Sequence, residues 1–235
     1  MFPPPLVRNL EFVTWNANGV KNKINDLRDF IEEQDLDLVL LTETHLNAGD
    51  RLRIRNFKTY RSDRVDYRGG GTAIIVRDNY DVIPLILPQT PGYETCGIIL
   101  NISQNCKIKV ISMYIPPGTY FDDNVFLQLF SGGMPVFLAG DFNSHHQSWY
   151  CRNSNRRGRE LYNFTMRHNI RAVAPHSPTF FSELVPNSLP SVLDFALVKG
   201  LSFNIAATSL PELDSDHNPV LFDLDFLSLV KIRTV

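Results

Sequence analysis

A layered α/β domain, with two β-sheets packed face to face and helices outside them, is the fold class this sequence predicts. Eight short runs rich in β-branched and aromatic residues are spread along the 235 residues, separated by clusters of glycine, proline and asparagine. Almost all of these runs are apolar at consecutive positions instead of alternating, which is the pattern of a strand covered on both faces. Three amphipathic segments of helical period lie between them.

The first run, residues 10–15, ends on Trp15 and hands over to Asn16. Residues 23–33 then place Ile24, Leu27 and Ile31 at helical spacing with Phe30 alongside, predicting a helix with one apolar face. Strands are expected over 36–42, which delivers Glu43, and over 72–76, after Gly69-Gly70-Gly71. Strands over 95–102 and 108–114 follow, the second closing on Tyr114 just before Ile115-Pro116-Pro117-Gly118. The acidic start at Asp122 suits the cap of a helix reaching Phe130, with Val125, Phe126 and Leu129 inward. The run 135–138 leads into Gly140-Asp141-Phe142-Asn143, and residues 158–168 set Leu161, Phe164 and Thr165 on one side of a third helix. Strands over 192–198 and 220–224 complete the pattern. No repeat or low-complexity linker interrupts it, so a single domain spanning 1–235, with a core of about 10–226, is expected.

Charge narrows the function classes. Charged residues make up 20% of the chain and nearly balance, for a formal net charge of −2, so nothing like a strongly basic nucleic-acid binder is present. Any contact with nucleic acid must come from local clusters: Arg152, Arg156, Arg157 and Arg159; Arg51, Arg53, Arg55 and Lys58; or Arg61, Arg64 and Arg68. A solvated face is the plain alternative for each. Cys96, Cys106 and Cys151 lack CxxC spacing, which fits reduced thiols in an intracellular protein. No apolar stretch approaches the ~20 residues needed to cross a bilayer, and Met1-Phe2-Pro3-Pro4-Pro5 lacks the regions of a signal peptide, so no membrane partner is expected.

Chemistry-bearing side chains gather at strand ends. Asp141 and Asn143 stand two residues apart after an apolar run, a spacing that lets both converge on one phosphate or one metal-bound water. Asn16, Glu43, Asp194 and the pair Asp216-His217 repeat that placement at four other runs. Gly-Asp-Phe-Asn also suits a turn, since both polar residues can bond their own backbone. The recurrence at five strand ends favours an active site at one rim of the sandwich.

Six motifs in order carry a family resemblance: Trp15-Asn16-Ala17-Asn18-Gly19, Thr42-Glu43-Thr44-His45, Tyr114, Gly140-Asp141-Phe142-Asn143, Ser191-Val192-Leu193-Asp194-Phe195 and Ser215-Asp216-His217. Together they resemble the endonuclease/exonuclease/phosphatase superfamily. Within it, Arg157-Gly158-Arg159-Glu160-Leu161 and Pro178-Thr179 look like the apurinic-type endonuclease domain of jockey-like non-LTR retrotransposons. The resemblance implies a four-layered α/β sandwich with two mainly antiparallel sheets. It also implies a magnesium-dependent endonuclease, with manganese able to substitute, that nicks one strand of double-stranded DNA to leave 3′-hydroxyl and 5′-phosphate ends. In such elements the nick primes reverse transcription, so a reverse transcriptase domain in a parent polyprotein, a monomeric state and a nuclear site of action are the matching expectations. No polymerase region follows within the 235 residues, which reads as an excised domain or as a frame that lost its polymerase.

The resemblance also distributes roles. Glu43 is the expected metal ligand, supported by Asn16 and Asp216, because magnesium takes oxygen ligands and usually only one or two carboxylates. Asp141 is the expected base for the attacking water and Asn143 the donor to a non-bridging oxygen. His217 is expected to face the scissile phosphate while Asp194 holds its other ring nitrogen. Tyr114 would add a hydroxyl. Thr179 and Ser191, with Arg152, Arg156, Arg157 and Arg159, are the expected DNA contacts. The segment 180–190 matches in order a hairpin that related nucleases lay in or near the minor groove, and its phenylalanines and prolines suggest reading of DNA shape. The alternatives within reach are a phosphatase or RNA nuclease of the same superfamily, or a descendant that only binds DNA.

Overall fold

Successive side chains of a strand point to opposite faces, so Leu38–Thr42, buried at every position, must be covered on both sides. The computed structural model, which describes residues 9–88, 90–103, 106–182 and 189–226, supplies that cover with a second sheet inside and a helix outside. The elements in chain order are β1 (Leu10–Asn16), α1 (Ile24–Glu33), β2 (Leu38–Thr42), β3 (Phe57–Ser62), β4 (Thr72–Arg77), β5 (Asp81–Leu85), β6 (Glu94–Ser103) and β7 (Cys106–Tyr114). There follow α2 (Asp123–Leu129), β8 (Val136–Asp141), α3 (Arg156–Arg167), β9 (Arg171–Val173), β10 (Asp194–Lys199), β11 (Ile205–Ser209) and β12 (Val220–Leu224).

One six-stranded sheet runs β11-β12-β1-β2-β4-β3 and the other β5-β6-β7-β8-β10-β9. Both are mixed. The central pairs β1–β2 and β7–β8 are parallel, and every other named pair is antiparallel. Between the sheets lies an apolar layer that includes Phe12, Leu40, Ile74, Ile98, Phe137 and Phe222. Outside the first sheet, Leu27, Phe30 and Ile31 of α1 pack on Val13, Val39 and Ile75. Outside the second, Phe126 of α2 and Leu161 and Phe164 of α3 pack on Ile111, Leu138 and Phe195. The result is a four-layered sandwich. Asp122 caps α2, accepting from the Asn124 N–H at 2.9 Å, and Asn155 caps α3, accepting from the Gly158 N–H at 2.7 Å.

The two parallel pairs decide where the chemistry goes. A parallel pair puts both carboxyl ends at one rim, so β1 and β2 deliver Asn16 beside Thr42, and β7 and β8 deliver Tyr114 beside Asp141. The antiparallel strands β10 and β12 start at that same rim, since Asp194 is opposite Asp141 and Val220 is opposite Thr14. Parity then aims the side chains: Phe12, Leu40, Val110, Ala139 and Ala196 face the inter-sheet core, and the residues two or four further toward the rim are polar.

Four strands depart from the sequence expectation. β3, β5, β9 and β11 were not expected, and they are the outermost strand at each of the four sheet edges. Their sequences are only partly buried, so they lack the continuous apolar run that marks the central strands. α3 begins at Arg156, two residues earlier than expected, because Asn155 rather than Gly158 opens it.

Candidate active site

The rim carries concentrated backbone strain. Asn18, Glu43, His45 and Asn143 all adopt positive φ, at 41°, 47°, 53° and 47°. Non-glycine residues rarely do so, and each costs on the order of 1–3 kcal/mol that the surrounding fold must offset. Glycine precedes Asp141 for a reason of space: β8 runs parallel to β7 there, and a Cβ on Gly140 would strike the Met113 carbonyl.

Asp141, fully buried, is the hub. Its Oδ1 accepts from the Asn143 N–H at 2.9 Å, while Oδ2 accepts the side-chain amides of Asn16 at 2.9 Å and Asn143 at 3.0 Å. His217 Nε2 lies 3.9 Å from the same Oδ2. Burial pushes the Asp141 carboxyl up to about 7, against the pull of the positive His217.

On the closed side, His217 Nδ1 meets Asp194 Oδ2 at 2.7 Å. Thr179 gives its hydroxyl to the same Asp194 oxygen at 2.7 Å and accepts from the Leu193 and Asp194 N–H groups, so the carboxylate cannot rotate away. Phe180 packs its ring on the imidazole, and Trp15 donates to the His217 carbonyl at 3.1 Å. Burial opposes a charged imidazole here, but the negative charge and hydrogen bond of Asp194, with Asp141 and Asp216 adding to them, raise His217 to about 10. The Asp194 contact therefore favours the doubly protonated ring.

On the open side, Glu43 follows β2 on a turn gripped by both neighbours. Its carbonyl accepts from the Gly19 N–H at 2.8 Å, and the Thr44 and His45 N–H groups donate to Gly71 and Gly70 at 3.1 and 2.8 Å. Its Oε1 accepts from Asn16 at 2.9 Å and its Oε2 lies 3.2 Å from His45 Nε2. Burial works against ionisation, but hydrogen bonds from His45, Asn16 and the Tyr114 hydroxyl outweigh it and hold Glu43 at about 2. Tyr114 is pushed well above the usual phenol range, chiefly by burial and then by Glu43 and Asp141, and remains a donor. Asp216 joins this side through Asn18, whose amide reaches its Oδ1 at 3.3 Å.

Several sequence-predicted residues sit elsewhere than expected. Asn16 turns its amide nitrogen, not its oxygen, toward Glu43 and Asp141, and its Oδ1 accepts from the Asn18 N–H at 3.1 Å, so in this arrangement it separates two carboxylates and offers no ligand oxygen. Thr179 is wholly buried behind Asp194, too deep for a DNA backbone contact. Arg157 is not a DNA contact either: its buried guanidinium is spent on the carbonyls of Thr119, Phe142 and Pro116 at 2.9–3.0 Å, with Ile115 and Asn143 at 3.4 Å. Arg152, Arg156 and Arg159 are exposed, although Arg156 also pairs with Glu160 at 3.0 Å. Ser191 stays partly accessible and bridges to Phe180, the exposed Phe181 follows, and residues 183–188 of the expected hairpin lie outside the described residues.

Residues that sequence reasoning gave no part include Asn18, Ser215 and Glu94, while Arg64 entered only as one of a basic cluster and is instead paired with Glu94. Asn18 and Ser215 lay inside quoted motifs, but nothing about their types revealed that Ser215 ties the His217 turn to the Asn16 carbonyl at 2.9 Å. Asp141, Asp194 and His217 form a cluster whose ligand atoms lie within 4.8 Å of one another. Within it Asp194 and His217 spend their facing atoms on each other at 2.7 Å, whereas Glu43 is ionised and partly open, which makes Glu43 the readier magnesium ligand.

Residues 13–217 match the Endonuclease/Exonuclease/phosphatase family. The chain is 30% identical over 96% of its length to the RNA-directed DNA polymerase from mobile element jockey of Drosophila melanogaster, covering 25% of that protein. It is 28% identical over 92% of its length to a probable RNA-directed DNA polymerase from transposon X-element of the same fly, covering 24% of it. The chain thus spans about a quarter of the length of these relatives. Its fold is similar to the endonuclease domain of TRAS1, a telomere-specific non-LTR retrotransposon, with a TM-score of 0.76 at 16% identity over 92% of this chain and 98% of that one. The AP endonuclease LMAP from Leishmania major gives 0.72 at 16% identity, over 92% and 88% of the two chains.

Proposed function

The chain belongs to the Endonuclease/Exonuclease/phosphatase family; from that premise we propose that it is a phosphodiester hydrolase, a divalent-metal-dependent DNA endonuclease that nicks one strand of a duplex, leaving 3′-hydroxyl and 5′-phosphate ends. The observation that carries this reading is Asp141, one buried carboxylate that touches the histidine side of the site and the glutamate side at once.

Hydrolysis of a phosphodiester needs a positioned water, donors for the charge growing on the phosphoryl oxygens and help for the leaving alkoxide. Asp141, whose affinity for a proton is raised by burial, takes the proton of the attacking water. His217, held charged by Asp194, donates from Nε2 to a non-bridging oxygen, and Tyr114 adds its hydroxyl. Asn143, which now spends its amide on Asp141, is within reach to redirect it to phosphate. The ionised Glu43, with the Asp216 carboxyl group, would hold the cation, magnesium with manganese substituting, which when bound neutralises charge on the phosphate and the departing oxygen.

Arg152, Arg156 and Arg159 with Ser191 would position the strand, and the exposed Phe181 would meet the groove. The similarity to proteins named as polymerases of mobile elements supports a nick that primes reverse transcription by a polymerase in the same polyprotein. Supercoiled plasmid should become open circle with magnesium and stay supercoiled with a chelator. Release of phosphate from soluble inositol phosphates with no conversion of plasmid would instead assign the site to a phosphatase.

A further inference from the structure

Arg64 and Glu94, 30 residues apart in sequence, form an ion pair outside the set of proposed site residues. Their side chains are 11% and 17% exposed, and Arg64 Nε donates to Glu94 Oε1 at 2.6 Å while Nη2 reaches the same oxygen. The pair spans the sandwich, since Arg64 follows β3 of one sheet and Glu94 opens β6 of the other.

Two routes lead from this pair to Glu43. Glu94 Oε2 accepts the Gly71 N–H, and the carbonyls of Gly70 and Gly71 accept the N–H groups of His45 and Thr44. Gly70, at φ +63°, has no space for a Cβ because the Arg64 guanidinium fills it. The second route runs over Tyr114: Glu94 is its cross-strand partner, the Arg64 guanidinium lies 5.9 Å from its ring centroid, and the Tyr114 hydroxyl is among the groups that hold Glu43 ionised. On its outer side Arg64 stacks on the exposed Tyr67 at 4.3 Å.

We propose that the Arg64–Glu94 pair is the positioning device for Glu43, holding the strained Glu43–His45 turn and the Tyr114 hydroxyl in the one arrangement that presents the carboxylate. This rests on the reading of Glu43 as the metal carboxylate. Groups that orient a metal ligand typically govern about 10- to 100-fold of metal affinity.

Removing one charge alone strands the other in a buried place and endangers folding. The informative variant is therefore the apolar double replacement Arg64→Met with Glu94→Leu, beside Glu43→Gln as reference. Magnesium binding to the DNA-free protein is followed by calorimetry, and exchange of the His45 amide by NMR without metal. The expected result is a cooperative thermal transition in the double variant, magnesium affinity lower by about 10-fold or more, and faster His45 exchange. Wild-type affinity together with wild-type exchange would overturn the proposal. If Glu43→Gln leaves magnesium binding unchanged, the ligand reading of Glu43 is what fails, and unaltered His45 exchange in the double variant would then overturn the positioning role by itself. A double variant too unstable to fold is replaced by Arg64→Lys, whose point charge keeps the pairing but not the two-point grip on Glu94; wild-type affinity and exchange there would overturn the proposal, and a loss in both would support it.

Discussion

His217 with Asp194 and His45 with Glu43 are the same pair of groups set in two places. The first contact is 2.7 Å between side chains 6% and 0% exposed, the second 3.2 Å between side chains 30% and 23% exposed. In the interior, two further carboxylates surround the imidazole, and the pair serves to keep a proton on histidine. At the mouth, three donors surround the carboxylate, and the pair serves to keep a proton off glutamate. Surroundings, and not the identity of the partners, decide which member of a histidine–carboxylate pair is made functional.

The sharpest way to test that contrast is to remove the group that joins the two sides. Asp141→Asn keeps the shape of the hub but not its basicity, and nicking should fall by about 10²–10⁴-fold with DNA affinity retained. Plasmid nicking compared with a binding titration checks this, and near wild-type rates would separate Asp141 from the chemistry.

Glu43→Gln acts on the open side alone. The magnesium midpoint for nicking should rise by about 10- to 100-fold, with the shape of the pH profile preserved. An unmoved midpoint would put the cation elsewhere.

Asp194→Asn acts on the closed side alone, and its signature is in pH. His217 is raised from 6.5 to about 10, so its charged form, and the stability that form contributes, is fully present below 6.5 and is lost as pH rises through about 10. Without the Asp194 charge, burial is opposed less, and the alkaline limb of the rate profile should move down by roughly one to three pH units. A limb that stays in place breaks the comparison, because His217 would then owe its proton to something else.

The smallest expected effect belongs to Tyr114→Phe, which removes one hydroxyl between the two sides. A loss of roughly tenfold or less in rate is expected, the scale of a single neutral hydrogen bond, with a slight rise in the magnesium midpoint.

Much of the fold was legible because burial on both faces writes itself as an unbroken apolar run. All the strands of the two sheet centres were visible this way, whereas β3, β5, β9 and β11 were not, since an edge strand such as Phe57–Ser62 or Asp81–Leu85 is half in water and its composition resembles a loop. The site was legible to the extent that a polar residue after such a run is conspicuous: Asn16, Glu43, Asp141 and Asp194 were found by that signal, and the structure brings all four into one cluster, Asn16 bonded to Glu43 and Asp141, and Asp194 bonded to His217, whose Nε2 lies 3.9 Å from Asp141. Arginine content misled, because nothing local distinguishes Arg157, which clamps backbone carbonyls inside the fold, from Arg156 and Arg159, which face solvent.

By itself the sequence determined the layered α/β class, the central strands, the helix faces and the set of polar strand ends, since each follows from periodicity within a few residues of chain. Only the tertiary structure decided which nitrogen or oxygen of each polar group is used, that Asp194 favours a proton on His217, and that Arg64 and Glu94 bear on Glu43. Those outcomes depend on atoms brought together from opposite sheets, on burial that removes water from some pairs and not others, and on a two-sheet rim that no local stretch encodes.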